Sequence, residues 1–147
     1  MFDTVLLPVD LNEESSWRKA LPVAESHVRA ASGTLHVLTV LPDFGERIVG
    51  SYFPPDFFER MEAAALGDLE ALCAQNLPAE VSVVCAVRTG SVYREIKQYA
   101  DETNCDLIVM ASHRPQLSDH LLGANAAWVA RHVGQSVMVV RDTAAAQ

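Results

Sequence analysis

The chain has 147 residues and a formal net charge of −8, which opposes the positive surface that nucleic-acid binding needs. Half of its residues are hydrophobic, yet no apolar run approaches the ~20 residues of a membrane-spanning helix, so we expect neither a nucleic-acid partner nor a membrane. The first residues lack the basic region of a secretory signal, which favours a cytoplasmic location.

Five short runs rich in β-branched residues predict strands that are buried on both faces. They cover residues 5–9, 34–41, 81–87, 106–111 and 136–140. Between them, apolar residues recur at helical spacing, which predicts four helices. The predicted fold is a doubly wound, Rossmann-like α/β fold, with a mostly parallel five-stranded sheet of order 3-2-1-4-5 and helices on both faces.

Glycine, proline and serine mark the predicted element boundaries. Gly33 is expected to end the first helix and Ser91 to cap the third. Pro22 falls inside the first helical pattern, where proline costs about 3 kcal/mol, so we expect a kink or a helix that is regular only after Leu21.

The chain is expected to form a single domain over residues 1–142, followed by a frayed tail over 143–147. A long connection, residues 42–55, is rich in glycine, proline and aromatic residues. Connections of this length are either functional or mobile, so a lid, a partner contact and a solvated loop all remain open.

Three cysteines, Cys73, Cys85 and Cys105, lie 12 and 20 residues apart. Their number is odd and no pair has CxxC spacing, so neither a disulfide framework nor a zinc site is predicted. Each falls in an apolar pattern, which indicates small buried side chains in a reducing compartment.

Ligands of an open α/β sheet bind beyond the carboxyl ends of the strands, where the strand order reverses. The candidates are therefore the residues that follow each predicted strand. Gly123 precedes the fourth helix, and a glycine there either lets backbone N–H groups approach an anion or simply forms a turn. Neither GxxxxGK(S/T) nor GxGxxG occurs, which excludes Walker and dinucleotide-binding motifs.

Three segments carry a resemblance to a known family: TVLLPVD, LTVLP and, most densely, VMASHRPQLSDHLLGANAAWVARHVGQSVMVVR. Together they resemble the universal stress protein (UspA-like) family, specifically its F and G type branch. The resemblance implies an ATP-binding, regulatory stress-response protein without efficient catalysis, with Mg²⁺ accompanying the ATP. It also implies a homodimer formed through strand 136–141, which we expect at a sheet edge that needs a partner.

The family's usual nucleotide motif is G-x2-G-x9-G-(S/T), and this chain departs from it. The corresponding residues look like Ala111, Arg114, Gly123 and Ala124, with a loop that is one residue shorter. Arg114 is interpreted as a substitute whose guanidinium can hold a phosphate with two hydrogen bonds.

The nucleotide-binding residues predicted from the strand ends and the resemblance are Pro8, Val9, Asp10, Val40, Ala111, His113, Arg114, Gly123, Ala124 and Asn125. Asp10 would meet the ribose and adenine end of the nucleotide, and the backbone near Val40 the adenine edge. Alternatively, Asp10 caps the loop before the first helix, and His113 is a surface histidine rather than a phosphate contact. No catalytic or metal-binding residue is predicted.

Two other functions remain open on the same scaffold. One is slow ATP hydrolysis or self-phosphorylation, with Ser112 or Ser118 as acceptor, although no lysine lies in the loop after strand four to stabilise a transferring phosphoryl group. The other is a ligand-free, dimeric interaction protein. A receiver module is excluded because Asp10 stands alone after strand one and Thr89 occupies the end of strand three.

Overall fold

The computed structural model describes residues 1–42, 54–112 and 124–141. Within them the strands are β1 (Thr4–Pro8), β2 (Thr34–Leu41), β3 (Ser82–Thr89), β4 (Leu107–Ala111) and β5 (Ser136–Val140). They form one sheet of order β3-β2-β1-β4-β5, and all four neighbouring pairs are parallel. The predicted fold class and strand order are confirmed.

Helices cover both faces of this sheet. In the same residues they are α1 (Ala20–Ala31), α2 (Phe57–Asn76), α3 (Val92–Thr103) and α4 (Ala124–His132), with a short 3₁₀ turn at Glu14–Ser16 before α1. The helices α1 and α2 pack on one face, and α3 and α4 on the other.

The central strand β1 explains why its sequence is apolar without alternation. Val5 and Leu7 belong to the core beneath α1 and α2, whereas Leu6 belongs to the core beneath α3 and α4. All three side chains are fully buried. A strand covered on both faces needs an apolar residue at every position, which is the pattern from which it was predicted.

Pro22 lies in the first turn of α1 and is exposed. The first N–H groups of a helix have no partner within the helix, so proline is tolerated there. The helix begins at Ala20, slightly before the predicted regular start after Leu21. Trp17 fits the helical spacing but lies ahead of the helix, at the end of the 3₁₀ turn.

Both predicted helix boundaries lie near their marker residues. Ser32 ends α1 in the left-handed conformation with φ of 53°, and the amide of Gly33 then donates to the carbonyl of Val28 at 2.8 Å. Ser91 occupies the N-cap of α3, although its side chain makes no capping hydrogen bond.

In the described ranges, no helix combines the length and the apolar character needed to cross a bilayer. Residues 43–53 of the predicted long connection and the predicted tail, 143–147, lie outside the described residues.

Candidate functional site

A cavity of about 200 Å³ opens where the strand order reverses. From β1 the chain moves outward to β2 and β3, and it then returns to the other side of β1 to form β4 and β5. The connections after β1 and β4 therefore leave the sheet in different directions and a crevice opens between them. This is the location that the sequence predicts for a ligand.

Six of the predicted site residues line this cavity, and four are not seen there. The six are Pro8, Val9, Asp10, Val40, Ala111 and Asn125. His113, Arg114 and Gly123 lie outside the described residues, and Ala124 is the first residue of α4, beside Asn125. Their roles toward a ligand stay predictions.

The floor of the cavity is apolar and comes from four different elements. Buried side chains of β2, α3, β4 and α4 form it: Leu38, Ile96, Met110 and Ala126. None of these residues was predicted to belong to the site, because their spacing is that of ordinary core positions. An apolar floor of this kind suits a flat, weakly polar ring system.

A polar wall stands on the β1 side, where the chain turns toward α1. Ser16 ties this turn together, because its hydroxyl oxygen accepts the amide N–H of Asp10 at 2.9 Å. The same oxygen lies 2.7 Å from the carbonyl oxygen of Glu13, to which the hydroxyl donates. Glu13, Ser15 and Ser16 all line the cavity, and none of them was predicted, because no sequence pattern marks a 3₁₀ turn.

Asp10 makes a local turn contact and also lines the cavity. Its Oδ1 accepts the amide N–H of Asn12 at 2.9 Å, the local turn that an aspartate in a loop often makes. The residue is exposed and also lines the cavity. Because an ionised carboxylate offers about four acceptor sites, this bond leaves capacity to accept hydrogen bonds from a diol.

The backbone after β1 is fixed against β2. The amide of Val9 donates to the carbonyl of Leu38 at 2.7 Å, and the buried hydroxyl of Thr39 donates to the carbonyl of Val9 at 2.7 Å. The amide of Val9 is thus already used within the protein. Val9 therefore shapes the wall of the cavity. The backbone of β2 at Val40 is the better candidate for hydrogen bonds to a ligand.

The charge of the cavity wall is negative on the side of β1. Among the lining residues that the structure describes, Asp10 and Glu13 are acidic and none is basic. The opposite wall contains Asn125 and Ala126 in the first turn of α4. The first N–H groups of a helix lack partners within the helix and carry partial positive charge, so this end of the cavity is the one that suits an anion.

No group of three or more histidine, cysteine, aspartate or glutamate side chains is arranged to hold a metal ion in the part of the chain that is described.

Comparisons with known proteins identify the same family over nearly the whole chain. A model of the Universal stress protein family matches residues 1–141. Universal stress protein G of Escherichia coli O157:H7 is 33% identical over 144 residues, which span 96% of this chain and 100% of that protein.

Two solved structures share the fold. A universal stress protein in complex with cAMP has a TM-score of 0.60 and 21% identity, covering 95% of this chain and 97% of the other. A universal stress protein family member from Arabidopsis thaliana with AMP bound has a TM-score of 0.62 and 18% identity, covering 95% of this chain and 91% of the other.

Proposed function

Since the chain belongs to the universal stress protein family, we propose that it binds an adenine nucleotide, ATP, in the cavity at the carboxyl ends of β1, β2 and β4 and acts as a regulatory protein without efficient catalysis. The observation that carries this proposal is the meeting, at the point of strand reversal, of an apolar floor, an aspartate and a helix N-terminus. Relatives described with cAMP or AMP bound support the choice of adenosine, which both ligands contain.

The adenosine part fits the described lining directly. The adenine ring would lie on the floor formed by Leu38, Ile96 and Met110, beside the backbone at Val40. The ribose hydroxyls would donate to the carboxylate of Asp10, which the turn through Asn12 holds in place.

The phosphates would point toward the first turn of α4, where the N–H groups of Asn125 and Ala126 have no partner within the helix. The sequence assigns Arg114 to the phosphates as well. Mg²⁺ would arrive with the ATP. This ion is commonly held by phosphate oxygens with one or two carboxylates rather than by a full set of protein ligands. Efficient phosphoryl transfer would need cations around the transferred group, and the described wall offers carboxylates instead.

Asp10→Ala is expected to weaken ATP binding roughly tenfold. A hydrogen bond to a charged group contributes about 1.5–3 kcal/mol, and the exposed position of Asp10 favours the lower end of that range. The substitution lies in an exposed turn, so the melting temperature should change little. Calorimetric titration measures the affinity, and Asp68→Ala on the exposed side of α2 is the matched control. An unchanged affinity in Asp10→Ala would remove this carboxylate from the site.

The altered motif predicts opposite effects at Ala124 and Arg114. Ala124→Ser restores the family's hydroxyl and should tighten ATP binding about threefold, since a neutral hydrogen bond contributes about 0.5–1.5 kcal/mol. Arg114→Ala should weaken binding by more than that, and added salt should reduce the difference between the arginine and alanine forms. Titrations at low and high salt measure both effects, and a lack of change in both variants would contradict the role given to the motif.

We further propose that the protein is a homodimer in which β5, with its neighbour Arg141, pairs with the same strand of a second copy. Among the described residues β5 pairs only with β4, so one of its edges has no neighbouring strand. An open edge of apolar residues is commonly covered by another strand, and a two-fold axis lets the same strand supply it.

Val139→Lys is expected to shift the protein from dimer to monomer at micromolar concentration, because the added charge would be buried next to its partner strand. Sedimentation velocity measures the change. Val84→Lys, in the opposite edge strand, is the control for added charge, since Val84 is 43% exposed. Val139 also packs against the core beneath α3 and α4, so thermal unfolding checks that Val139→Lys keeps its fold. A wild-type protein that sediments as a monomer would overturn the dimer.

A further inference from the structure

Two of the three cysteines, neither of which lines the cavity, lie against each other. Cys73, near the end of α2, and Cys85, in the middle of β3, have their sulfur atoms 3.6 Å apart, and the thiol of Cys85 donates to the sulfur of Cys73. Both thiols are free, so this is a hydrogen-bonding contact and not a disulfide. The sulfurs would have to approach by about 1.5 Å to reach the length of a disulfide, about 2.05 Å.

We propose that Cys73 and Cys85 form a reversible disulfide that clamps α2 to the edge strand β3 when the protein meets hydrogen peroxide. The pair closes the connection between α2 and β3 into a short loop. Both cysteines belong to the core beneath α1 and α2, whereas Cys105 belongs to the core on the other face of the sheet. Cys105 is therefore separated from the pair by the sheet itself.

The exposure of the two thiols sets the order of the steps. Cys85 is half-buried, whereas Cys73 is only 6% exposed, so peroxide reaches Cys85 first. The Cys85 thiolate attacks one peroxide oxygen, the O–O bond breaks, and the departing hydroxide takes up a proton to become water. Cys85 is left as a sulfenic acid.

Cys73 then completes the bond. Its thiolate attacks the sulfur of Cys85, the S–O bond breaks, and a second water leaves once its oxygen has taken up a proton. Two thiols and one hydrogen peroxide thus give one disulfide and two waters, with the sulfurs oxidised and the peroxide oxygens reduced. A dithiol reductant reverses the reaction by thiol–disulfide exchange.

The surroundings keep the pair reduced until oxidant is abundant. Burial raises the pKa of both thiols, that of Cys73 to about 12. The rise at Cys85 is opposed by the contact with Cys73, because the Cys73 thiol can donate a hydrogen bond to Cys85 once Cys85 is ionised. The negative charge of Glu70 on α2 raises both pKa values further. Cys85 therefore ionises before Cys73, and both react more slowly than a thiol in solution because the thiolate is the nucleophile.

The test treats the reduced, full-length protein with hydrogen peroxide and follows intact mass, peptide mapping and thermal unfolding. We expect a loss of two hydrogen masses and a single cross-link between the peptides of Cys73 and Cys85. The melting temperature should rise by roughly 5–10 °C, because the closed loop restricts the unfolded chain. Cys105→Ser should behave as wild type. Cys85→Ser should lose the cross-link, and Cys73→Ser should instead accumulate a sulfenic acid at Cys85 that a dimedone probe labels.

Glu70→Gln tests whether ionisation of the thiols, and not only the contact between their sulfur atoms, sets the rate of the cross-link. Removing the charge should lower both thiol pKa values and speed the cross-link severalfold at neutral pH, while the reduced protein keeps its melting temperature. The proposal is overturned if peroxide leaves the wild-type mass unchanged, if the cross-link involves Cys105, or if the oxidised protein melts at or below the temperature of the reduced one.

Discussion

Ala126→Leu is expected to lower ATP affinity on the order of 100-fold. The methyl group of Ala126 lies in the first turn of α4 and lines the cavity, which holds about 200 Å³. A leucine adds three carbons to that space. Forcing extra carbons into space that is already filled costs about 1–3 kcal/mol, and if bound ATP fills this space, the upper part of that range corresponds to a 100-fold loss of affinity. Calorimetric titration with ATP measures the effect.

Ala130→Leu is the matched control. Ala130 lies one turn later in α4 and is exposed, so the same enlargement there changes neither the cavity nor the packing. Thermal unfolding of both variants checks that the fold is kept. Equal affinities in Ala126→Leu and the wild type would mean that ATP does not occupy this cavity.

Gly33→Ala is expected to destabilise the fold by roughly 3 kcal/mol, or about 5–10 °C in melting temperature. A Cβ at this position would overlap the carbonyl oxygen of Asp3 and lie 2.7 Å from its carbonyl carbon. Relief would require moving Gly33 away from Asp3. That movement would break the hydrogen bond from the amide of Thr34 to the carbonyl of Asp3, 2.8 Å, at the start of the β1–β2 pairing.

Gly67→Ala should stabilise the protein, in contrast to Gly33→Ala. Gly67 lies in the exposed middle of α2, and nothing lies within 4 Å of a Cβ built there. Alanine should therefore stabilise the protein by about 0.5–1 kcal/mol through helix propensity. Denaturant unfolding of the two variants measures the contrast. Equal stability in Gly33→Ala and wild type would contradict the close approach of the two chain segments.

The sheet could be predicted because a strand that is buried on both faces has a continuous run of apolar residues. The apolar runs at 34–41 and 136–140 coincide with β2 and β5. At β3 the predicted run ended at residue 87, and the strand continues through Arg88 and Thr89. The edge position explains the difference, because an outer strand tolerates polar side chains that a central strand would not.

The cavity could be predicted only where a strand ends. Asp10 and Ala111 stand out in the sequence because an apolar run ends beside them, and both line the cavity. Ile96 and Met110 do not stand out, because a core residue and a cavity residue have the same apolar periodicity. The difference between them lies in what the neighbouring elements leave unfilled, which depends on packing between distant segments.

The cysteines show the same limit. The spacing of Cys73 and Cys85 gives no disulfide signature. The apolar pattern predicted that both side chains are buried, which is correct for Cys73, whereas Cys85 is only half-buried. Their contact follows from the packing of α2 on β3, which places Cys73 of the helix against Cys85 of the strand. Only the three-dimensional arrangement decides which two of three cysteines meet.

Amide chemical shifts during titration with ATP test the binding proposal most directly. We predict saturable shifts that concentrate at Val40, Asn125 and Ala126 around the cavity. The amides of Glu80 and Ser82, at the opposite end of the sheet, should remain unchanged. Shifts confined to that opposite end, or no shifts at millimolar ATP, would contradict a nucleotide site at the carboxyl ends of the strands.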